Sequence, residues 1–445
     1  MLSNLHASNT LIGYFALSIF VIAYILVIAE ERMHLRKSKP VILSAGLIWL
    51  IVAIVGQSQN ASSFVHLRLQ QIFLEYSELF FFLLVAITYV NAMEERQIFA
   101  QLKALLQNYR LTFKQLFWLT GILSFVLSGI LDNLTTALVM GTVVLNVGQE
   151  NKRFVQIGCI NIVVAANAGG AFTPFGDITT LMVWQKGILP FQDFFKLALP
   201  AFINFLIPAV CMHYSLPSGS PTPIKEVIIK SPGGMMVGML FLFTLITTIV
   251  FHHFFHLPAV LGMMTGLGYL QFFSYYSKMN TKYHPPVNVF KELQRTEWDT
   301  LLFFYGVMVS VGGLSALGYL ETLSTTLYKD WAFSNPIWQH TFANTLIGIL
   351  SAIVDNIPIM YSVLTMHPTM SEGQWLLVTL TAGVGGSLLS LGSAAGVALM
   401  GQSNNLYTFS SHLKWTWAIG LGYIASILCH HWWNAELFMH TLSTH

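Results

Sequence analysis

Three aspartates lie in otherwise apolar stretches of this 445-residue chain, where a carboxylate is costly and calls for an explanation. Asp132 and Asp355 share the motif Ser-x-Ile-x-Asp-Asn, and Asp177 follows a Pro-Phe-Gly run. In a low-dielectric site, desolvation favours the neutral form of a carboxyl group, and a bound cation favours the charged form. The aspartates are therefore candidates for a site that holds either protons or a metal cation, which is the chemical basis of exchange.

Neutral oxygen donors surround the aspartates in the sequence. Carboxylate, amide, hydroxyl and freed backbone carbonyl oxygens are hard ligands that suit alkali and alkaline-earth cations. We predict a cation and proton site made of Asp132, Asn133, Thr135, Thr136, Asn167, Asp177, Asp355 and Asn356, with Na+ held at the two Asp-Asn pairs. Glu78, one turn after Glu75 at the start of an apolar stretch, is assigned to an access funnel or a proton path. No catalytic residue, enzyme activity or resident cofactor is predicted.

A structural role is the alternative for each of these residues. An aspartate directly before a helix commonly caps it, and this alternative is strongest for Asp177, whose counterpart in the second half is Ser393. A threonine or serine hydroxyl commonly bonds back to its own helix. Asn133 and Asn356 fit ligation better than the hydroxyl residues, because both follow an aspartate at a turn.

The elements that position the aspartates are predicted to be short or interrupted. The apolar arms on either side of Asp132 are each shorter than the roughly 20 residues that a spanning helix needs, so 116–147 is predicted to be a re-entrant hairpin. The same pattern predicts a second hairpin at 337–366. The apolar stretches 154–185 and 374–400 contain helix breakers and are predicted to be helices broken near mid-membrane. The predicted breaks lie at Gly169, Gly170, Pro174, Gly176, Gly385, Gly386 and Gly392.

The composition indicates an all-α polytopic membrane protein. The chain is 55% hydrophobic and 9% charged, whereas soluble domains average about 25% charged residues. Its net charge of +2 and the lack of a basic stripe argue against a nucleic-acid partner and leave membrane lipid as the expected environment. Besides the hairpins, spans are predicted at about 10–29, 41–56, 73–91, 154–185, 194–213, 235–251, 257–274, 300–320, 374–400 and 415–433.

The predicted elements occur in the same order twice. Residues 1–216 form the first half, 217–234 a polar, proline-bearing cytoplasmic linker, and 235–445 the second half. Each half has an odd number of spans, so the second copy must be inserted upside down. This is the inverted-repeat plan of secondary transporters, in which discontinuous helices from both copies bind the substrate near the midplane.

Basic residues fix the predicted orientation. Threading the elements in order puts all of the 21 Lys and Arg residues except Arg68, Lys186, Lys196 and Lys329 on one face. Since cytoplasmic loops carry the excess of basic residues, this face is predicted to be cytoplasmic and both termini to lie outside. No Lys or Arg falls within the hairpins or the broken helices, so the three aspartates are expected to lack a basic partner.

Long stretches of the chain resemble the NhaD-type sodium/proton antiporters of the ion transporter superfamily. The resemblance is carried by Glu78 to Arg96, Ser128 to Met140, Ala165 to Thr180, Ser351 to Pro358 and Gly385 to Gly396. It implies electrogenic exchange of cytoplasmic Na+ or Li+ for external protons across the bacterial cytoplasmic (inner) membrane. It also implies a homodimer, with a scaffold and a mobile transport domain in each subunit.

Other functions are compatible with parts of the pattern. A sodium-coupled dicarboxylate or oxyanion carrier of the same superfamily is the main alternative, but such carriers are expected to have Ser-Asn-Thr at both hairpin tips. Here Asp132 and Asp355 replace the hydroxyl residue, and a carboxylate repels an anion. An intramembrane aspartyl protease needs Gly-x-Gly-Asp, which the sequence before Asp177 does not supply. A passive channel is disfavoured because the paired breaks predict a closed site.

Overall fold

The computed structural model of the chain describes residues 4–33, 35–108, 111–148, 151–221, 232–280, 287–329, 333 and 335–439. Most of the predicted linker 217–234 lies outside these residues. So do several of the basic residues on which the predicted orientation rests.

The regular elements of the described residues are helices. In chain order they are α1 Leu11–Ile28, α2 Glu30–Met33, α3 Ser38–Ser58, α4 Ser62–Glu95, α5 Ile98–Asn108, α6 Phe113–Ser128, α7 Asn133–Val147, α8 Lys152–Gly170, α9 Ile178–Gln185, α10 Ala198–His213, α11 Gly234–Phe255, α12 Ala259–Met279, α13 Val289–Gln294, α14 Trp298–Ala316, α15 Tyr319–Tyr328, α16 Pro336–Leu350, α17 Asn356–Met366, α18 Glu372–Gly385, α19 Ala394–Gln402, α20 Phe409–Leu413 and α21 Thr416–Trp433. Two 3₁₀ segments, Phe191–Leu197 and Ala435–Phe438, complete the set.

Six helical stretches of the described chain are long and apolar enough to cross a membrane. They are α1, α3, α4, α11, α14 and the continuous stretch Phe191–His213. The predicted class, an all-α polytopic membrane protein, is confirmed. The third predicted span, 73–91, is too short: α4 begins at Ser62, because no glycine or proline interrupts the more polar turns before the apolar run.

Two pairs of short helices meet at the aspartates of the repeated motif. Helices α6 and α7 are separated by four residues and α7 begins directly after Asp132, whose side chain accepts a hydrogen bond from the Thr135 backbone N–H at 2.8 Å. Helix α17 begins directly after Asp355, whose carboxylate accepts a longer bond from the Ile357 N–H at 3.4 Å. Both aspartates therefore cap a helix, as the structural alternative predicts.

Two further helices are interrupted where the sequence carries its breakers. Helix α8 ends at Gly170 and α9 begins after Asp177; α18 ends at Gly385 and α19 begins after Ser393. The intervening segments contain Pro174 and Gly176 in the first case, and Gly386 and Gly392 in the second. The ends of four helices and their backbone polar groups are thereby brought to one region of the protein.

Each hairpin packs against the broken helix that follows it, through closely similar contacts. A Cβ atom at Gly169 would lie 2.0 Å from the carbonyl oxygen of Phe125, and one at Gly385 would lie 2.0 Å from that of Gly348. Only glycine allows these approaches between backbones. Equivalent contacts are what a duplication would produce; the division into two halves and the inversion of the second half stay predictions.

The helices pack in two groups. One group contains α1, α3, α4, α11, α12 and α14, in which α3 lies along α14 and α11 along α12. The other contains both hairpins, both broken helices, α10 and α21. Helix α17 of the second hairpin contacts α14 of the first group. The cavity described next lies between the two groups.

Candidate cation site

A cavity of about 430 Å³ lies where the two hairpin turns and the two helix breaks meet. Residues of the first helix group, from α1, α4, α11, α12 and α14, line its other side. Its charged lining residues are Glu30, Lys37, Asp132, Asp177, Glu297 and Asp355. Among the described residues the cavity is thus lined by five carboxylates and one ammonium group, a balance that favours a cation.

Asp177 is the point where both hairpins meet the first broken helix. The Asn133 amide donates to Asp177 Oδ2 at 2.9 Å, and the Asn356 amide donates to Oδ2 at 2.9 Å and to Oδ1 at 3.2 Å. The Thr179 backbone N–H donates to Oδ1 at 2.9 Å, so Asp177 also caps α9. Asp177 is only 3% exposed, and its hydrogen-bond partners are neutral donors.

Asn167 links the first hairpin to the second helix break. Its Oδ1 accepts from the Asn133 amide at 3.2 Å, and its own amide donates to the hydroxyls of Ser387 and Ser393 at 2.9 Å each. Asn167 is fully buried and does not line the cavity. It therefore holds Asn133 in place from behind the site.

The remaining residues predicted in the first hairpin differ in their surroundings. Thr135 lines the cavity and its hydroxyl donates to Asp132 Oδ2 at 2.6 Å. Thr136 is fully buried outside the cavity lining, and its hydroxyl has no hydrogen-bond partner within the described part of the chain. The structure thus brings seven of the eight predicted residues into one connected cluster or its cavity and leaves Thr136 outside it.

Three charged residues of the cavity were missing from the predicted site: Glu30, Lys37 and Glu297. Lys37 Nζ lies 3.9 Å from Asp355 Oδ2, so the expectation that all three aspartates lack a basic partner is wrong for Asp355. Glu297 precedes α14 and lines the cavity, and its carboxylate accepts a hydrogen bond from the Thr300 hydroxyl at 3.2 Å. Glu297 follows Glu75 by 222 residues, close to the 223 residues that separate Asp355 from Asp132, and this similar spacing is the signal that the sequence holds for it.

Glu75 and Glu78 do not line the cavity. Glu75 forms an ion pair with Lys186, which follows α9, and accepts a hydrogen bond from the Tyr361 hydroxyl at 3.3 Å. Glu78 lies one turn further along α4, and its assignment to an access funnel or proton path stays a prediction. Along both α4 and α9, this ion pair lies beyond the residues that line the cavity.

Hairpins and broken helices whose ends surround a buried polar site, in an all-helical membrane protein, define a membrane transporter. A family model described as "Citrate transporter" matches residues 24–383. With the relatives described next, this match shows that the chain belongs to the NhaD-type transporters of the wider citrate-transporter family.

The chain is similar over nearly its whole length to two bacterial proteins of the same name. A "Na(+)/H(+) antiporter NhaD" of Vibrio cholerae is 52% identical, over 97% of this chain and 94% of its own length. A protein of the same name from Alkalimonas amylolytica is 49% identical, over 98% and 93%. "Sodium/proton antiporter 1" of Arabidopsis thaliana is 33% identical, over 86% of this chain and 66% of its own length.

Proposed function

We propose that this chain is a secondary transporter that exchanges Na+ or Li+ for H+ at Asp177 and the two hairpin turns. The observation that carries the proposal is the convergence of Asn133 and Asn356, one from each hairpin, on the buried carboxylate of Asp177. The excess of carboxylates in the cavity lining and the names of the bacterial and plant relatives support the same function.

The chemistry follows from the side chains around the cavity. A dehydrated Na+ needs several oxygen ligands, and Asp132, Asp177 and Asp355 supply carboxylates beside the amide groups of Asn133 and Asn356. Rotation of an asparagine side chain about its Cβ–Cγ bond points the amide oxygen, a ligand, to where the amide nitrogen was. When a proton binds the carboxylates instead, their negative charge is lost and the cation is released, so that the two ions compete for the same groups.

A citrate carrier is the alternative, and the description of the matching family model is the observation in its favour. The cavity argues against it. Citrate would have to lie among five carboxylates with Lys37 as the sole basic lining residue of the described chain. Like charges in a site of low dielectric repel strongly, so this lining favours a cation over a polyanion.

The setting of the protein belongs to the same proposal. We place the chain in a cytoplasmic membrane with both termini outside and, by its family resemblance, in a homodimer. Two of the residues that line the cavity, Asn91 and Glu297, are close in the chain to Arg96 and Arg295, which are among the basic residues predicted on the cytoplasmic face, and this supports a cavity that faces the cytoplasm.

The test uses everted membrane vesicles acidified inside, with a dye that reports the pH gradient. Na+, Li+, K+ and citrate are added separately, and citrate uptake is measured in parallel with and without Na+. Dequenching with Na+ or Li+ that is lost in Asp132→Asn supports exchange at this site. Sodium-dependent citrate uptake, without dequenching by any cation alone, would replace the antiporter by an anion carrier.

A further inference from the structure

Lys37 is the single basic residue among the described residues that line the cavity. Its ammonium nitrogen lies 3.9 Å from Asp355 Oδ2 and 4.7 Å from the centre of the Phe303 ring. Both charged side chains are largely buried, with 19% of the lysine and 18% of the aspartate side chain exposed. A positive charge of the protein itself is therefore held beside one of the carboxylates of the candidate cation site.

The backbone of Lys37 is anchored at the start of α3, and its ammonium is held only by longer contacts. Lys37 directly precedes α3, and its backbone N–H donates to Glu30 Oε1 at 3.2 Å. The next residue, Ser38, donates its hydroxyl to Asp299 on α14. At 3.9 Å the ammonium makes no direct hydrogen bond to Asp355, and a flexible four-carbon stem connects it to the anchored backbone. The ammonium can therefore move away without any displacement of the helix.

The ion pair connects the two helix groups. Lys37 precedes α3, which packs along α14, whereas Asp355 lies at the turn of the second hairpin in the other group. A cation that binds Asp355 would remove this connection and replace it by a charge that belongs to neither group. The pair is thus placed to couple the occupancy of the site to the contact between the groups.

We propose that Lys37 is a tethered ammonium that competes with the transported Na+ for Asp355. The inference rests on the proposed function and adds a residue to it. In the empty site Lys37 offsets part of the excess negative charge. When Na+ binds Asp355, the two positive charges repel each other and the ammonium moves away from the carboxylate, while the face of the Phe303 ring, 4.7 Å away, can still stabilise it. Na+ binding is therefore weaker than the carboxylates alone would give, and the release of Na+ or its exchange for H+ is easier.

The test compares three variants in the same vesicles and, after purification, in a direct binding assay with radioactive sodium. Lys37→Met removes the charge but keeps the stem, Lys37→Arg keeps the charge, and Lys39→Met is the matched control, since Lys39 is exposed two residues away and does not line the cavity. We expect Lys37→Met to bind Na+ more tightly and to have a KM for Na+ about three- to tenfold lower, which is the effect of losing one partly buried ion pair. We also expect its maximal rate to be reduced, because Na+ is released more slowly. Lys39→Met should keep the KM of the unmodified protein, and Lys37→Arg, which keeps the positive charge, should change KM less than Lys37→Met does.

A lysine that only stabilises the fold would give the opposite pattern. Unchanged or weaker Na+ binding in Lys37→Met, measured beside an unmodified protein that does exchange Na+ for H+, overturns the competition and leaves the proposed function standing. An unmodified protein that fails to exchange in the vesicles overturns the proposed function itself. If Lys37→Met does not reach the membrane, Lys37→Gln decides the question by the same criterion.

Discussion

The amide of Asn356 donates to both carboxylate oxygens of Asp177, at 2.9 and 3.2 Å, although 179 residues separate the two in the chain. Asn133 of the other hairpin donates to the same carboxylate at 2.9 Å. Asp177 thus joins three discontinuous elements, since both hairpin turns are hydrogen-bonded to this one carboxylate. A charge that two neutral amides stabilise can be exchanged between a proton and a cation more readily than one fixed by a basic partner.

The first prediction concerns Asp177→Asn. Asparagine caps a helix as well as aspartate does, so α9 should persist while the charge is lost. We expect Na+-driven dequenching to fall at least about 100-fold, because a charged ligand in a buried site contributes roughly 2–3 kcal/mol. Asp193→Asn is the control: Asp193 pairs with Lys196 at 2.8 Å and lies outside the cavity lining. Wild-type exchange in Asp177→Asn would show that the ion site lies elsewhere.

The second prediction ranks the two asparagines. Asn356→Ala removes two hydrogen bonds to Asp177 and Asn133→Ala removes one, so both should raise KM for Na+, and Asn356→Ala by more, about tenfold. Initial rates of dequenching over a range of Na+ concentrations give the KM of each variant. The reverse order, with expression levels matched, would mean that their bonds to Asp177 do not determine ion affinity.

Local signals in the sequence predict the hairpins and breaks, because helix caps and breakers act on their immediate neighbours. Asp132 and Asp355 precede α7 and α17, because an aspartate side chain accepts hydrogen bonds from the free backbone N–H groups at a helix start. Gly170 and Gly385 stand at the ends of two other helices, α8 and α18. The proximity of Lys37 to Asp355 has no such signal. It depends on how α3, α14 and the second hairpin pack, and a single sequence contains no spacing that reports this contact.

The third prediction tests the close contacts between each hairpin and its broken helix. Gly169→Ala and Gly385→Ala place a methyl group 2.0 Å from a backbone carbonyl oxygen, so one backbone must shift. Each should lower the free energy of unfolding by about 2–3 kcal/mol, the usual effect of overpacking. Gly268→Ala in α12 is the control, since its Cβ would meet nothing within 4 Å, and it should be neutral or slightly stabilising. Thermal unfolding of the purified proteins in detergent measures all three.

The fourth prediction follows from linkage between binding and stability. If Na+ binds the folded site, its addition should raise the thermal unfolding midpoint of the purified protein, since a ligand at about 100 times its Kd adds roughly 2.7 kcal/mol. Choline at equal ionic strength should not. In Asp177→Asn the Na+ effect should vanish; a shift that persists in that variant would mean that Na+ stabilises the protein at another place.

The last prediction concerns the ion pair of Glu75 and Lys186, which joins α4 of one helix group to the end of α9 in the other. Asp177 and Lys186 stand at the two ends of α9, so a movement of the site carries Lys186 with it. The Tyr361 hydroxyl of the second hairpin also donates a hydrogen bond to Glu75, so this contact joins α4, the first broken helix and the second hairpin.

A double-mutant cycle of Glu75→Gln and Lys186→Met isolates the contribution of that pair. The side chains are 28% and 32% exposed, so the coupling in unfolding free energy should be about 0.5–1 kcal/mol. If the ion pair acts in transport, each single variant should change the transport rate, and the double variant should have a rate no further from that of the unmodified protein than the single variants have. Additive changes in rate would instead mean that the two residues act separately and that the pair contributes only to packing.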